Sequence, residues 1–219
     1  MSIQENYRDI KSRLPENVQL VAVSKTHPVS SIQEVYGLGQ KVFGENKVQE
    51  LVEKHPLLPK DIQWHIIGHL QTNKVKYIAE FVDTIQSVDS EKLLKEINKE
   101  AGKHNRKIKV LLQVKIAEED TKFGLEISEA KDLFQKFVNG EFENIEITGL
   151  MGMATFTEDE NQIKKEFSVL KNLFDELSQT KKLETLSMGM SDDFPIAIES
   201  GANSVRVGSA IFGRRDYSK

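Results

Sequence analysis

The 219-residue sequence contains no cysteine, which excludes disulfides, thiolate catalysis and cysteine-ligated zinc from the outset. No charge of one sign dominates either. Thirty basic residues against thirty-four acidic ones leave a net charge of −4, so no global field exists to gather nucleic acid or an anionic membrane. No apolar run approaches the length of a membrane span. The opening MSIQENYRDIKSRL carries acids and amides where a signal peptide needs a basic start and an apolar stretch. A cytoplasmic address with no membrane or nucleic-acid partner is therefore expected. Pro/Gly/Ser-rich linkers and low-complexity blocks are also missing, so a single domain over residues 1–219 is expected. Walker loops, nucleophile elbows and dinucleotide fingerprints do not occur.

What is present is alternation. Apolar runs that read as strands lie at Val18–Val23, Lys41–Phe43, Gln63–Ile67, Thr84–Ser87, Lys109–Lys115, Ile147–Met151, Thr185–Ser187 and Ser204–Val207. Several are nearly continuous in Val, Ile and Leu, as strands covered on both faces should be. Between them lie segments of helical period. The clearest is the stripe Ile163, Phe167, Leu170, Phe174, Leu177, read as core packing. Capping-box spacings at Thr157–Glu160 and Ser31–Glu34 predict the starts of two helices. Gly37 and Gly39 read as a helix stop.

Eight strands alternating with helices imply parallel pairing through right-handed crossovers. An open doubly wound sheet would announce a nucleotide loop after its first strand, but that strand ends in Ser24-Lys25-Thr26-His27-Pro28, without glycine. A closed (β/α)₈ TIM barrel is the better reading, and 219 residues divided by eight leave about 27 per unit, which suffices.

In such a barrel chemistry gathers at the C-terminal ends of the strands. There the sequence puts Lys25, then Gly44-Glu45-Asn46, then Gly68-His69-Leu70-Gln71, and finally Ser187 to Ser191 and Arg206 to Ser209. A lysine at a strand end is most often a surface residue. Desolvated at a barrel mouth, it loses basicity and its amine can attack a carbonyl. The loops after strands seven and eight carry glycines and hydroxyls suited to a phosphate. The plain alternatives are that Ser191 caps a helix beginning at Asp192 and that Gly208 only packs. Asp192 and Asp193 would repel a phosphate. Arg206, if inward, needs a ligand or carboxylate partner, since a buried guanidinium is costly alone. An amine at strand one and a phosphate cradle at strands seven and eight describe a phosphorylated carbonyl compound, either pyridoxal phosphate or a sugar phosphate in a Schiff-base aldolase.

His65 and His69 are four apart, but on a strand four residues span about 13 Å, too far for one ion, so no metal site is expected. The basic run Gly102–Lys109 lacks an aromatic platform and reads as solvated surface.

The motifs VAVSKTHP, FGENKVQE, WHIIGHLQTNK, SVDS, GLMGMATF, LSMGMSDDFPIAIESGA and VRVGSAIFG, running from about Val21 to Arg215, resemble those of the pyridoxal phosphate homeostasis proteins. These are relatives of the barrel domain of bacterial alanine racemase. The resemblance implies a fold-type III pyridoxal-phosphate barrel, like the alanine racemase N-terminal domain, with pyridoxal 5′-phosphate as a Schiff base on Lys25. It implies that Ser191, Gly208 and Ser209 hold the phosphate, that Asn46 lies beside the cofactor and that Arg206 meets the pyridine nitrogen. A permanent cation there weakens the ring as an electron sink. The implied function is intracellular vitamin B6 homeostasis without dedicated catalysis, with pyridoxal-phosphate-dependent apo-enzymes as recipients. Departures from the family pattern are His69 for proline, Lys115 for asparagine, and Ala117-Glu118 for a Ser-Gly pair.

Alternatives are a weak or narrow amino-acid racemase, the sugar-phosphate aldolase, and a protein-interaction module without chromophore. Racemase chemistry needs a second base that a further domain supplies in the relative. Here the chain stops soon after FGRRDY, and Tyr7, Tyr36, Tyr77 and Tyr217 fall outside the strand-end motifs, so a carrier and a monomer are expected.

Overall fold

The computed structural model describes residues 2–118 and 123–213. The far end of the resemblance at Arg215, and Tyr217, lie outside the described residues. A helix α1 (Ile3–Ser12) precedes the first strand. Eight parallel strands then follow: β1 (Gln19–Val23), β2 (Val42–Glu45), β3 (Gln63–Ile66), β4 (Thr84–Val88), β5 (Ile108–Gln113), β6 (Ile145–Met151), β7 (Thr185–Ser187) and β8 (Ser204–Val207). They close in sequence order into a barrel, with β8 returning to pair with β1. The crossovers carry α2 (Val29–Gly37), α3 (Val48–Lys54), α4 (Glu91–Lys103), α5 (Ile127–Val138), α6 (Glu160–Ser178) and α7 (Phe194–Glu199). A 3₁₀ turn, Thr72–Tyr77, stands in the β3–β4 crossover, and α8 (Ser209–Phe212) follows β8.

Period-two alternation on the strands separates two environments. Leu20, Ala22, Phe43, Trp64, Ile66 and Val205 face outward and join the helices' apolar stripes in one continuous core. From α6 that core takes Ile163, Phe167, Leu170 and Leu177 as expected, with Leu173 buried and Phe174 only partly so. Truncating the fully buried Phe167 to alanine would cost about 3–5 kcal/mol. The inward face is different: Val21 neighbours Arg206 across the β1–β8 pairing, and Gly44 neighbours His65 across β2–β3. The inward layers are therefore mixed, with polar groups below a mouth formed by the strand ends. Gly149 is required by closure, because a Cβ there would lie 1.7 Å from the Thr185 carbonyl oxygen on β7.

Two helix starts differ from the expectation. α2 begins at Val29 behind Pro28, so Ser31 is buried within the first turn and caps nothing. Pro28, locked in an extended conformation, already sets the start. α6 is capped by Asp159, whose carboxylate accepts the Asn161 and Gln162 amides, while Thr157 accepts the amide of Asp159 itself. Among the described residues the capping boxes formed are Ser2 with Glu5 and Glu126 with Glu129.

Candidate functional site

The mouth is built from the ends of four adjacent strands, β7, β8, β1 and β2. Lys25 is half-buried just past β1. Asn46, half-buried after β2, packs on Gly68, where a Cβ would come within 2.8 Å of the Asn46 carbonyl oxygen. Gly208, the first residue after β8, presses on β1: a Cβ there would meet Val23, two residues before Lys25, at 3.2 Å.

Ser191 does not cap α7, which starts at Phe194. Its hydroxyl instead accepts from the amides of Gly208 and Ala210, at 3.3 and 3.4 Å. The loops after β7 and β8 are thereby joined at a point toward which two backbone N–H groups converge, with Ser209 exposed beside it. Asp193 is turned back into its own loop, accepting the Met190 amide at 2.6 Å, and Asp192 is exposed. Burial raises the Asp193 carboxyl above its ordinary value, against the pull of the Met190 amide and of Arg206.

Arg206 points inward and is 3% exposed. Its Nη1 donates to Ser187 Oγ at 2.6 Å and its Nη2 to the Gly152 carbonyl at 3.0 Å. Burial draws the guanidinium down to about 10, with Asp193 opposing. It remains a cation at neutral pH. From Ser187 the bonding crosses the barrel interior: the hydroxyl donates to Gln86 Oε1 at 2.6 Å, and Gln86 Nε2 meets His65 Nδ1 at 2.9 Å. An amide nitrogen only donates, so Nδ1 accepts and His65 carries its proton on Nε2, 3.6 Å from Asp83 at the other end of the barrel. Burial would raise the Asp83 carboxyl, but His65, the Thr84 hydroxyl and Lys109 outweigh it and hold it well below the usual range.

Sequence reasoning named Lys25, Asn46, Ser191, Arg206, Gly208 and Ser209, and all six lie at or just beneath this mouth. It missed Gln86 and gave Ser187 no side-chain role. It also missed a buried cluster behind Lys25 in which Glu45, fully buried, meets Lys54 at 2.8 Å. The available signal was Glu45 itself, an acid ending an apolar strand. His65 and His69 do not converge: His65 lies inside the barrel, whereas His69 is exposed, bonded to Asp89 at 2.9 Å and stacked on Phe123. Lys115 is half-buried just past β5. Tyr7 bonds Gln40 and Tyr36 bonds Asp61, both near the strand starts, and Tyr77 is exposed. Among the described residues no helix is long and apolar enough to cross a membrane.

Comparison with known proteins agrees with this geometry. Residues 1–216 match the family described as alanine racemase, N-terminal domain. The pyridoxal phosphate homeostasis protein of Pasteurella multocida is 38% identical, with 100% of each chain covered. That of Aquifex aeolicus is 43% identical over 91% of this chain and 88% of its own. The human protein of the same name is 38% identical over 100% of this chain and 86% of its own. PipY of Synechococcus elongatus, solved with PLP bound, superposes with a TM-score of 0.89 at 36% identity, covering 97% of this chain and 100% of that one. Alanine racemase of Clostridium difficile shares the fold alone, at 17% identity and a TM-score of 0.82, with 58% of that chain covered. With a whole-length family match and relatives this similar on a closed eight-stranded parallel barrel, the chain belongs to the pyridoxal phosphate homeostasis proteins of the alanine racemase N-terminal domain family.

Proposed function

We propose that this protein binds pyridoxal 5′-phosphate as a Schiff base on Lys25 and acts in intracellular vitamin B6 homeostasis as a carrier, without dedicated catalysis. The observation that carries the reading is the placement at one barrel mouth of three features: Lys25 just past β1, the Gly208 and Ala210 amides gathered on Ser191, and the buried cation Arg206 beneath. These residues fit a phosphorylated aldehyde whose ring carries a basic nitrogen. Ser191, Gly208 and Ser209 would hold the phosphate: the Ser191 hydroxyl can rotate from acceptor to donor, leaving the amides to an anion. Asn46 would lie beside the ring. Arg206, fixed by Ser187 and Gly152, would face the pyridine nitrogen.

When bound, the cofactor supplies an electrophilic carbon and, if its ring nitrogen is protonated, an electron sink. A guanidinium that keeps its proton leaves that nitrogen unprotonated and works against carbanion chemistry. The names of the relatives, homeostasis proteins and not racemases, support the same reading. We further propose that the chain acts as one unit over residues 1–219, as a cytoplasmic monomer without nucleic-acid or membrane partners. Its recipients would be pyridoxal-phosphate-dependent apo-enzymes.

Incubation with pyridoxal 5′-phosphate, borohydride reduction and peptide mapping tests the proposal. A pyridoxyl group on Lys25, with no steady racemisation of free amino acids by the loaded protein, is expected. Labelling elsewhere, or sustained racemisation, would defeat it.

A further inference from the structure

The backbone around Lys25 is held in an unusual way. Thr26 adopts φ 68°, the left-handed region that a β-branched residue rarely enters, so the surroundings must hold it there. Behind it, Lys54 at the end of α3 is buried and spends all three of its ammonium protons. They go to the Ser24 carbonyl oxygen at 2.9 Å, to Glu45 Oε1 at 2.8 Å and to Glu50 Oε1 at 2.6 Å. The same Glu50 oxygen accepts the Thr26 amide, and the same Glu45 oxygen accepts the Ser24 hydroxyl at 2.6 Å.

The Ser24 carbonyl belongs to the peptide that enters Lys25, and the Thr26 amide to the peptide that leaves it. Both peptide planes flanking the Lys25 Cα are thus tied to one ammonium, directly on one side and through Glu50 on the other. A structural ion pair between α3 and β2 would need only the Lys54–Glu45 contact. Burial pushes the Glu45 carboxyl above its ordinary value, with Lys54 pulling it back. A buried charge cluster of this kind adds little net stability compared with apolar packing.

We infer that Lys54 and Glu50 are positioning residues that fix the backbone on both sides of Lys25 and so aim its amine into the mouth for attack on an aldehyde. The inference rests on the proposed cofactor reading, and deepens it by naming what presents the lysine. An amine held in an attack geometry reacts faster than one that samples many directions. A charge-assisted bond at each peptide is enough to change that rate by about tenfold or more.

The test uses Glu50→Ala, because Glu50 is partly exposed and its loss strands no fully buried charge, with Glu50→Gln as the conservative variant that keeps an acceptor oxygen. Lys54→Met is the stronger perturbation. In protein without cofactor, amide hydrogen exchange at Thr26 should quicken about tenfold or more in Glu50→Ala and be largely restored in Glu50→Gln. On mixing with pyridoxal 5′-phosphate, the visible Schiff-base absorbance should appear about tenfold more slowly in Glu50→Ala than in wild type. Affinity for pyridoxamine 5′-phosphate, which has the ring and phosphate but no aldehyde, should stay unchanged. Unchanged Thr26 exchange, or quickened exchange with a wild-type rate of Schiff-base formation, would overturn the positioning role. A wild-type protein that forms no Schiff base would overturn the cofactor reading instead, and the aiming role with it, while the exchange result would still report the clamp.

Discussion

Replacing Ser187 by alanine removes one oxygen from the middle of the polar chain that crosses the barrel. That oxygen is fully buried, accepts from Arg206 and donates to Gln86, with both bonds at 2.6 Å. Its loss orphans a guanidinium N–H and an amide oxygen in the interior. At about 1–3 kcal/mol for each unsatisfied buried group, the expected destabilisation is about 4 kcal/mol. For a chain of this size that lowers Tm by roughly 8–16 °C. Urea unfolding followed by the fluorescence of Trp64, the buried sole tryptophan, measures it. The double-mutant cycle sharpens the test. Gln86→Leu alone strands the Ser187 hydroxyl and His65 Nδ1, but the double variant strands neither the Gln86 oxygen nor the hydroxyl. The pair should therefore lose about 2 kcal/mol or more less than the sum of the singles. A loss below about 1 kcal/mol for Ser187→Ala, with additive singles, would refute the chain as a bonded unit.

Lys136 and Lys95 hold the half-buried Glu91 carboxyl down to about 2, from an ordinary 4.5. A depressed carboxylate favours the folded state above pH 4.5 and loses that contribution as pH falls toward 2. Glu91→Gln should therefore flatten the acid limb of stability against pH in urea titrations, and an unchanged limb would contradict the pairing. Gly189 sits at φ +96°, where a Cβ would lie 2.5 Å from Ala197 and 2.9 Å from the Phe194 Cα. Gly189→Ala should cost about 1–3 kcal/mol and weaken cofactor binding through the Ser191 loop. In thermal melts that show Gly189→Ala destabilised, Gly37→Ala, with open space around it, should be neutral or slightly stabilising.

The barrel was legible because short apolar runs alternate regularly with helical stripes, and the bounds of β7 and β8 match the expected ones residue for residue. β2 runs to Glu45, two residues past the expected Phe43, since Gly44 and Glu45 look like a loop until Lys54 is seen to neutralise the acid. α2 starts ahead of the capping spacing of Ser31 and Glu34 because Pro28 precedes them. At the site, residues at strand ends could be located once the fold class was in hand, because strand order alone brings them to one mouth. The chain through Ser187, Gln86 and His65 could not. Gln86 and Ser187 are 101 residues apart on strands that do not pair, and only closure of the barrel makes them neighbours.

The most direct test of the central claim is the visible absorption spectrum of the purified protein with pyridoxal 5′-phosphate, beside Lys25→Ala. The proposed function requires a Schiff-base band in the wild type and its loss in the variant, with the fold unchanged by circular dichroism. A wild type that stays colourless, or a variant that keeps the band, would contradict Lys25 as the residue that carries the cofactor.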